Sequence, residues 1–205
     1  LSLRVVPDAV PPAAALPPRS ALYNRHQLFV NAQEFNPGAN RIELTFSHAY
    51  SENSHGLHRF KDPLDGETYV FTNFEPNFAH RLFPCFDQPD LKASFELTAE
   101  VPKSWKVISN TPELETAGVD GLQSWTFPPS PRLSTYLFAL HAGPFAVWQA
   151  SAKEIPLRLF SRKSLASRVD AREWFEITTK GLEFYGDFFD LPYPYAKYDQ
   201  ILVPE

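Results

Sequence analysis

Methionine is missing from all 205 residues. A polypeptide that kept its translation start would carry one, so the expectation is a part of a longer chain. Cysteine is almost as scarce. Cys85 is the only one, which excludes an internal disulfide and fits a reducing, cytoplasmic setting. No apolar run approaches the ~18 residues of a membrane helix, and no basic, apolar, small-residue opening marks a signal peptide, so no membrane partner is expected. Positive charge is not in excess: 19 Lys and Arg against 24 Asp and Glu leave a net charge of -5, which argues against a nucleic-acid partner. The H-E-x-x-H pattern, two histidines one helical turn apart on a metal, is also absent. His55 and His58 are three residues apart, but Gly56 lies between them and no carboxylate or cysteine partner is evident. They read as loop histidines, and no residue is assigned to a metal or to a catalytic step.

What is present is proline and phenylalanine, 20 and 18 residues. Proline at roughly twice average usage suggests short strands joined by stiff turns. Arg41 to Ser47 alternates, with Ile42, Leu44 and Phe46 expected toward a core. Ala93 to Val101 alternates as well, and two such half-buried strands indicate an antiparallel sheet with one wet face. Weaker strand signals cover Leu3–Val6, Gln27–Val30, Thr68–Thr72, Trp105–Ser109, Leu122–Phe127, Thr135–Leu140, Phe145–Trp148 and Leu157–Phe160. Their spacing of about ten residues predicts a mainly β, twisted antiparallel β-sandwich. The Ala/Pro run from Val10 to Pro18 reads as a loop.

After Phe160 the pattern changes. Ser167 with Asp170 resembles a helix-capping box, and Ala171, Phe175, Thr178, Leu182, Tyr185 and Phe189 follow at helical steps. Leu191-Pro192-Tyr193-Pro194 ends that helix, and Ile201 to Val203 opens another apolar strand. The expected organisation is a β domain over residues 1–160 and the truncated, α-helical start of a second domain over 161–205.

The most distinctive stretch is T-N-F-E-P-N-F-A-H-R-L-F-P-C-F-D-Q-P-D-L-K-A-S-F, Thr72 to Phe95. It resembles the T-Q-F-E-P-x-x-A-R-x-x-F-P-C-F-D-E-P-x-x-K-A-x-F block of the M1 family of zinc aminopeptidases, the aminopeptidase N group. Gly56-Leu57-His58-Arg59-Phe60, the S-T-Y-L-F-A-L-H-A-G-P-F segment ending at Phe145, and the close F-Y-G-D-F-F-D-L-P-Y-P-Y-A-K-Y-D-Q-I-L-V-P-E match further family segments in order. The resemblance runs from about Gly56 to Glu205; the first ~50 residues match loosely, and the family's opening strands are expected to be missing.

The resemblance implies a saddle-like N-terminal domain that docks on its own catalytic domain. It implies zinc in the complete enzyme, none bound to this chain, and peptide substrates with a free N-terminus. By itself the fragment would be inactive. Glu75 takes the place of the family's amine-binding glutamate, a suitable role because a charge-assisted hydrogen bond to an ammonium is short and strong. Asn73 stands where the family usually has glutamine, lining the pocket for the first side chain; it could equally stabilise a local turn. The family tends to a cis peptide after this glutamate, and proline makes that isomer accessible. Glu75–Pro76 is therefore expected to be cis, with Glu75 on an exposed rim. Cys85, among Phe83, Pro84 and Phe86, reads as a packed apolar residue, and Asp87 or Arg81 as the anchor of the loop.

Two other readings stay open at this point: a non-catalytic scaffold of M1-like architecture, and an unrelated β-sandwich binding module, for instance for carbohydrate.

Overall fold

The computed structural model describes residues 2–7, 22–23, 27–114 and 116–204. The Ala/Pro run at 10–18 lies outside them. The chain forms two compact units, Leu1–Ala49 and Tyr50–Glu205.

In the first unit, β1 (Ser2–Pro7) pairs antiparallel with β4 (Asn40–Thr45), and β2 (Leu22–Tyr23) with β3 (Leu28–Phe29). The β4 strand was expected to bury Ile42 and Phe46, yet they are 45% and 41% exposed. A two-stranded ribbon pairs backbone without a second layer of its own, and such ribbons are marginal by themselves.

The second unit is a layered β structure. Its centre is the sheet β5 (Gly56–Lys61), β6 (Thr68–Asn73), β11 (Leu140–Gly143) and β8 (Lys106–Ser109), antiparallel in the order β5-β6-β11-β8. One face meets the sheet of β7 (Leu97–Pro102), β10 (Leu122–Phe127) and β9 (Thr116–Val119). Val70, Val107, Trp125, Phe127 and Ala142 fill that interface. The opposite face packs Tyr69, Ile108, Phe145 and Phe160 against β12 (Ala146–Ala152), β13 (Ile155–Ser161) and β14 (Tyr198–Ile201). The central strands are therefore apolar on consecutive residues, because both faces are covered. The outer β7 keeps the expected alternation, with Leu97, Ala99 and Val101 inward.

Two expected elements differ. Thr135–Leu140 does not form a strand. Thr135–Leu137 is a 3-10 turn, since Ser134 Oγ donates to the Pro89 carbonyl and Thr135 Oγ1 to Asp87, and these tertiary bonds outweigh the β propensity of the run. Residues 93–96 bond to the 130–133 segment instead of extending β7.

The helix α1 spans Ala171–Phe189. Its cap is Asp170, whose Oδ1 accepts the Glu173 amide at 3.1 Å. Ser167 lies earlier, in the 3-10 helix Lys163–Arg168. Asp190, left-handed at φ 49°, closes the other end, and the Leu191 amide donates to the Gly186 carbonyl. α1 joins β13 to β14, which pair in parallel, so β13 runs through residue 160 and into the segment beyond. The strand expected at Ile201–Val203 is β14, four residues ending at Ile201.

Candidate functional site

Glu75 sits in a turn directly after β6. The Phe78 amide donates to the Phe74 carbonyl at 2.7 Å, and a 3-10 turn, Ala79–Arg81, follows. Phe74 is 2% exposed and Ala79 fully buried; with Phe138 they form a core that Leu82, Phe83, Cys85 and Phe95 complete. The Phe74 ring stacks on Phe138 at 6.4 Å and meets Phe83 edge-on at 6.0 Å. This aromatic floor holds the turn from below. Glu75 itself is exposed, its bond to Pro76 is cis, and its carboxylate has no partner among the described residues.

Asp87 anchors the loop that follows. Its Oδ2 accepts from the His80 amide at 3.1 Å and lies 2.7 Å from His80 Nδ1, while Oδ1 accepts from Thr135 Oγ1 at 2.9 Å. Burial alone would raise the Asp87 carboxyl, but these hydrogen bonds hold it below the usual carboxylate range. Of the two anchors expected, Asp87 serves and Arg81 does not. The Arg81 guanidinium lies over the Phe78 ring at 4.8 Å. Burial pushes the Cys85 thiol up to about 12, which suits packing and excludes a ready nucleophile.

Asn73 is exposed, and its Nδ2 donates to the Ser54 carbonyl at 2.8 Å. It is thus tied to the bend before β5, where His55 packs its ring 4.1 Å from Phe78. Gly56 is needed at this junction. Its φ is 83°, and a Cβ there would lie 3.1 Å from Arg81 Cβ. His58, by contrast, is 7% exposed and accepts the Ser54 amide at Nδ1, so His55 and His58 do not converge. The sequence reading missed this bend. The polar run Ser51–Ser54 ahead of Gly56 is the signal that could have found it.

A cavity of about 280 Å³ lies elsewhere, between the β12–β13 turn and the end of α1, lined among others by Lys153, Leu182, Asp187 and Tyr193. It is lined by none of the residues around Glu75. Among the described residues no group of three or more His, Cys, Asp or Glu could hold a metal.

The turn after β6 thus presents the Glu75 carboxylate to solvent from an aromatic floor. The family model for the peptidase M1 N-terminal domain matches residues 18–137, and the chain belongs to that family. The match starts well upstream of Gly56. Among its relatives, "Aminopeptidase N" of Streptomyces lividans is 42% identical over 173 residues, 82% of this chain and 20% of that protein. "Aminopeptidase M1-C" of Oryza sativa subsp. japonica is 32% identical over 171 residues, 82% of this chain and 19% of that protein. "Probable aminopeptidase 1" of Saccharolobus solfataricus is 36% identical over 144 residues, 70% of this chain and 18% of that protein. The chain thus spans about one fifth of the length of these relatives.

Proposed function

We propose that this chain is the part of a zinc metalloaminopeptidase that recognises the substrate's free α-amine, and that the complete protein releases N-terminal amino acids from peptides. The observation that carries this reading is Glu75, an exposed carboxylate without a partner among the described residues, on a turn held by the buried Phe74 and Ala79 and by the Phe78 amide bonded to the Phe74 carbonyl. A surface glutamate in a loose turn would gain nothing from such bracing. A carboxylate that must meet an ammonium at a fixed place does, because fixing the amine also fixes the first peptide bond relative to the catalytic centre.

Asn73, two residues away, would line the pocket for the first side chain. Its bond to Ser54 serves the turn and leaves Oδ1 without a partner among the described residues. Zinc is proposed for the complete protein; among the described residues no group of three or more His, Cys, Asp or Glu would hold it.

Residues 161–205 are proposed as the beginning of the catalytic domain. In support, α1 leaves an apolar stripe in solvent: Trp174, Ile177, Phe184 and Phe188 are 39%, 63%, 60% and 68% exposed. A helix with such a face is made to be covered, and the remainder of the catalytic domain is the proposed cover. No helix among the described residues is long and apolar enough to cross a membrane; a cytoplasmic location is proposed on the single cysteine.

The test is an assay of the complete polypeptide on matched peptides with free and N-acetylated termini. Turnover confined to the free amine supports the reading. Absence of turnover at any metal load would favour the non-catalytic scaffold.

A further inference from the structure

We propose that His58 is a positioning residue for the recognition turn, acting on Asn73 through the backbone of Ser54. The inference rests on the reading of Asn73 and Glu75 given above. Three observations carry it.

The first is a continuous chain of hydrogen bonds. The Ser54 amide donates to His58 Nδ1 at 3.2 Å, and the Ser54 carbonyl accepts from Asn73 Nδ2 at 2.8 Å. One residue is therefore held at both its backbone groups, from the strand interior on one side and from the recognition turn on the other.

The second is conformational. Ser54 has φ 62°, a left-handed setting that a residue with a Cβ adopts only where its surroundings enforce it. The enforcing groups are visible. Ser51 folds the bend back on β5, its amide donating to Leu57 and its carbonyl accepting from Arg59, and His58 holds the bend's far end.

The third is the ring itself. His58 is 7% exposed, opposite Phe71 in the β5–β6 pairing, with its ring 5.0 Å from the Phe71 ring. A backbone amide can only donate, so in this contact Nδ1 is the acceptor. A buried imidazole seated on an aromatic ring is a rigid acceptor.

The consequence falls on the amide of Asn73. With Nδ2 committed to Ser54, the group left to face a ligand is the oxygen, an acceptor two residues from a carboxylate. Without the anchor the amide can rotate and offer its NH₂ group instead. His58 thus selects which end of Asn73 is presented, though it touches neither a substrate nor Glu75's carboxylate.

The test compares wild type, His58→Leu, His58→Asn and Asn73→Ala in the complete polypeptide. Asparagine places Oδ1 close to where His58 Nδ1 stands, so it keeps the acceptor; leucine removes it. Amide hydrogen exchange is read on peptides covering residues 51–57 and 72–78. His58→Leu is expected to speed exchange in both segments by about two- to tenfold, as loss of a single hydrogen bond would, and His58→Asn to restore it. Faster exchange in 51–57 with 72–78 unchanged, or an asparagine variant as loose as the leucine variant, overturns the proposal. If His58→Leu does not fold, Asn73→Ala breaks the same chain from the other end. It should loosen 51–57, and an unchanged segment overturns the proposal. These readouts need no turnover, so they stand or fall separately from the enzymatic reading. Where turnover is found, the first-residue preferences of His58→Leu and Asn73→Ala should be non-additive in the double variant; simple additivity overturns the link.

Discussion

Phe74 and Glu75 are neighbours in the chain and opposites in surroundings: the ring is 2% exposed, and the carboxylate stands in solvent. The reversal takes place across one peptide unit, where β6 ends and the turn begins. Everything proposed for the site depends on that exit from the core.

Glu75→Ala in the complete polypeptide should cost the free amine most of its advantage over an N-acetyl analogue. A hydrogen bond to a charged group contributes roughly 1.5–3 kcal/mol, so kcat/KM should fall by about ten- to over a hundred-fold. Steady-state kinetics on free-amine peptides check this, and unchanged values reject the role.

The 205-residue chain alone should bind no stoichiometric zinc and turn over no aminoacyl substrate. It has no H-E-x-x-H, and its described residues assemble no three-ligand group. Metal analysis after dialysis, paired with an aminoacyl-anilide assay, decides; one zinc per chain together with turnover would sink the expectation.

Gly143→Ala should destabilise the fold. A Cβ there would lie 2.6 Å from Tyr69 Cδ1 and 3.3 Å from the Thr68 carbonyl, and Tyr69 is fully buried. Overpacking of this kind typically costs about 1–3 kcal/mol. Urea denaturation followed by tryptophan fluorescence measures the loss, and a midpoint equal to wild type would contradict the packing described.

Stability should fall as pH drops from about 6.5 toward about 4. Burial, with the nearby Lys197 charge, holds His141 down to about 4, and its buried Nδ1 has no partner among the described residues. The ring is neutral in the fold but takes up a proton in the unfolded chain below its ordinary value. Its contribution is therefore complete above about 6.5 and is lost on acidification, up to about 3 kcal/mol. Asp199 and Glu113 have lowered carboxyls, held by Arg158 and Lys197 against the cost of burial, so their losses fall below their ordinary values near 4. The loss between about 6.5 and 4 is the part assigned to His141. His141→Gln should flatten the profile from pH 6.5 to 4.5, and an unaltered slope would assign it elsewhere.

Much of this fold was legible because short-range pattern and final surroundings agree. Leu122–Phe127 is β10 as read, and β7 alternates as its residues do. The helix was legible from Ala171 to Phe189, though its cap is Asp170 without Ser167. Legibility failed where distant partners decide. Thr135 reads as strand but bonds to Asp87, 48 residues away. Ile42 reads as core but is exposed on a two-stranded ribbon. At the turn after β6, the exposure of Glu75 and the cis bond after it were expected. The Ser54–His58 anchoring was not, because a bend held by a side-chain acceptor leaves no periodicity to read.

The parallel pairing of β13 with β14 has a consequence in time. β13 ends at Ser161 and its partner begins at Tyr198. With synthesis at roughly 5–20 residues per second, β13 emerges about 2–7 s before the strand that covers its flank. In that interval an apolar strand carrying Leu157, Leu159 and Phe160 shows a row of open backbone donors and acceptors, the very template on which neighbouring nascent chains can add. The demand this places on the cell is kinetic: α1 must swing β14 home before another polypeptide takes its place.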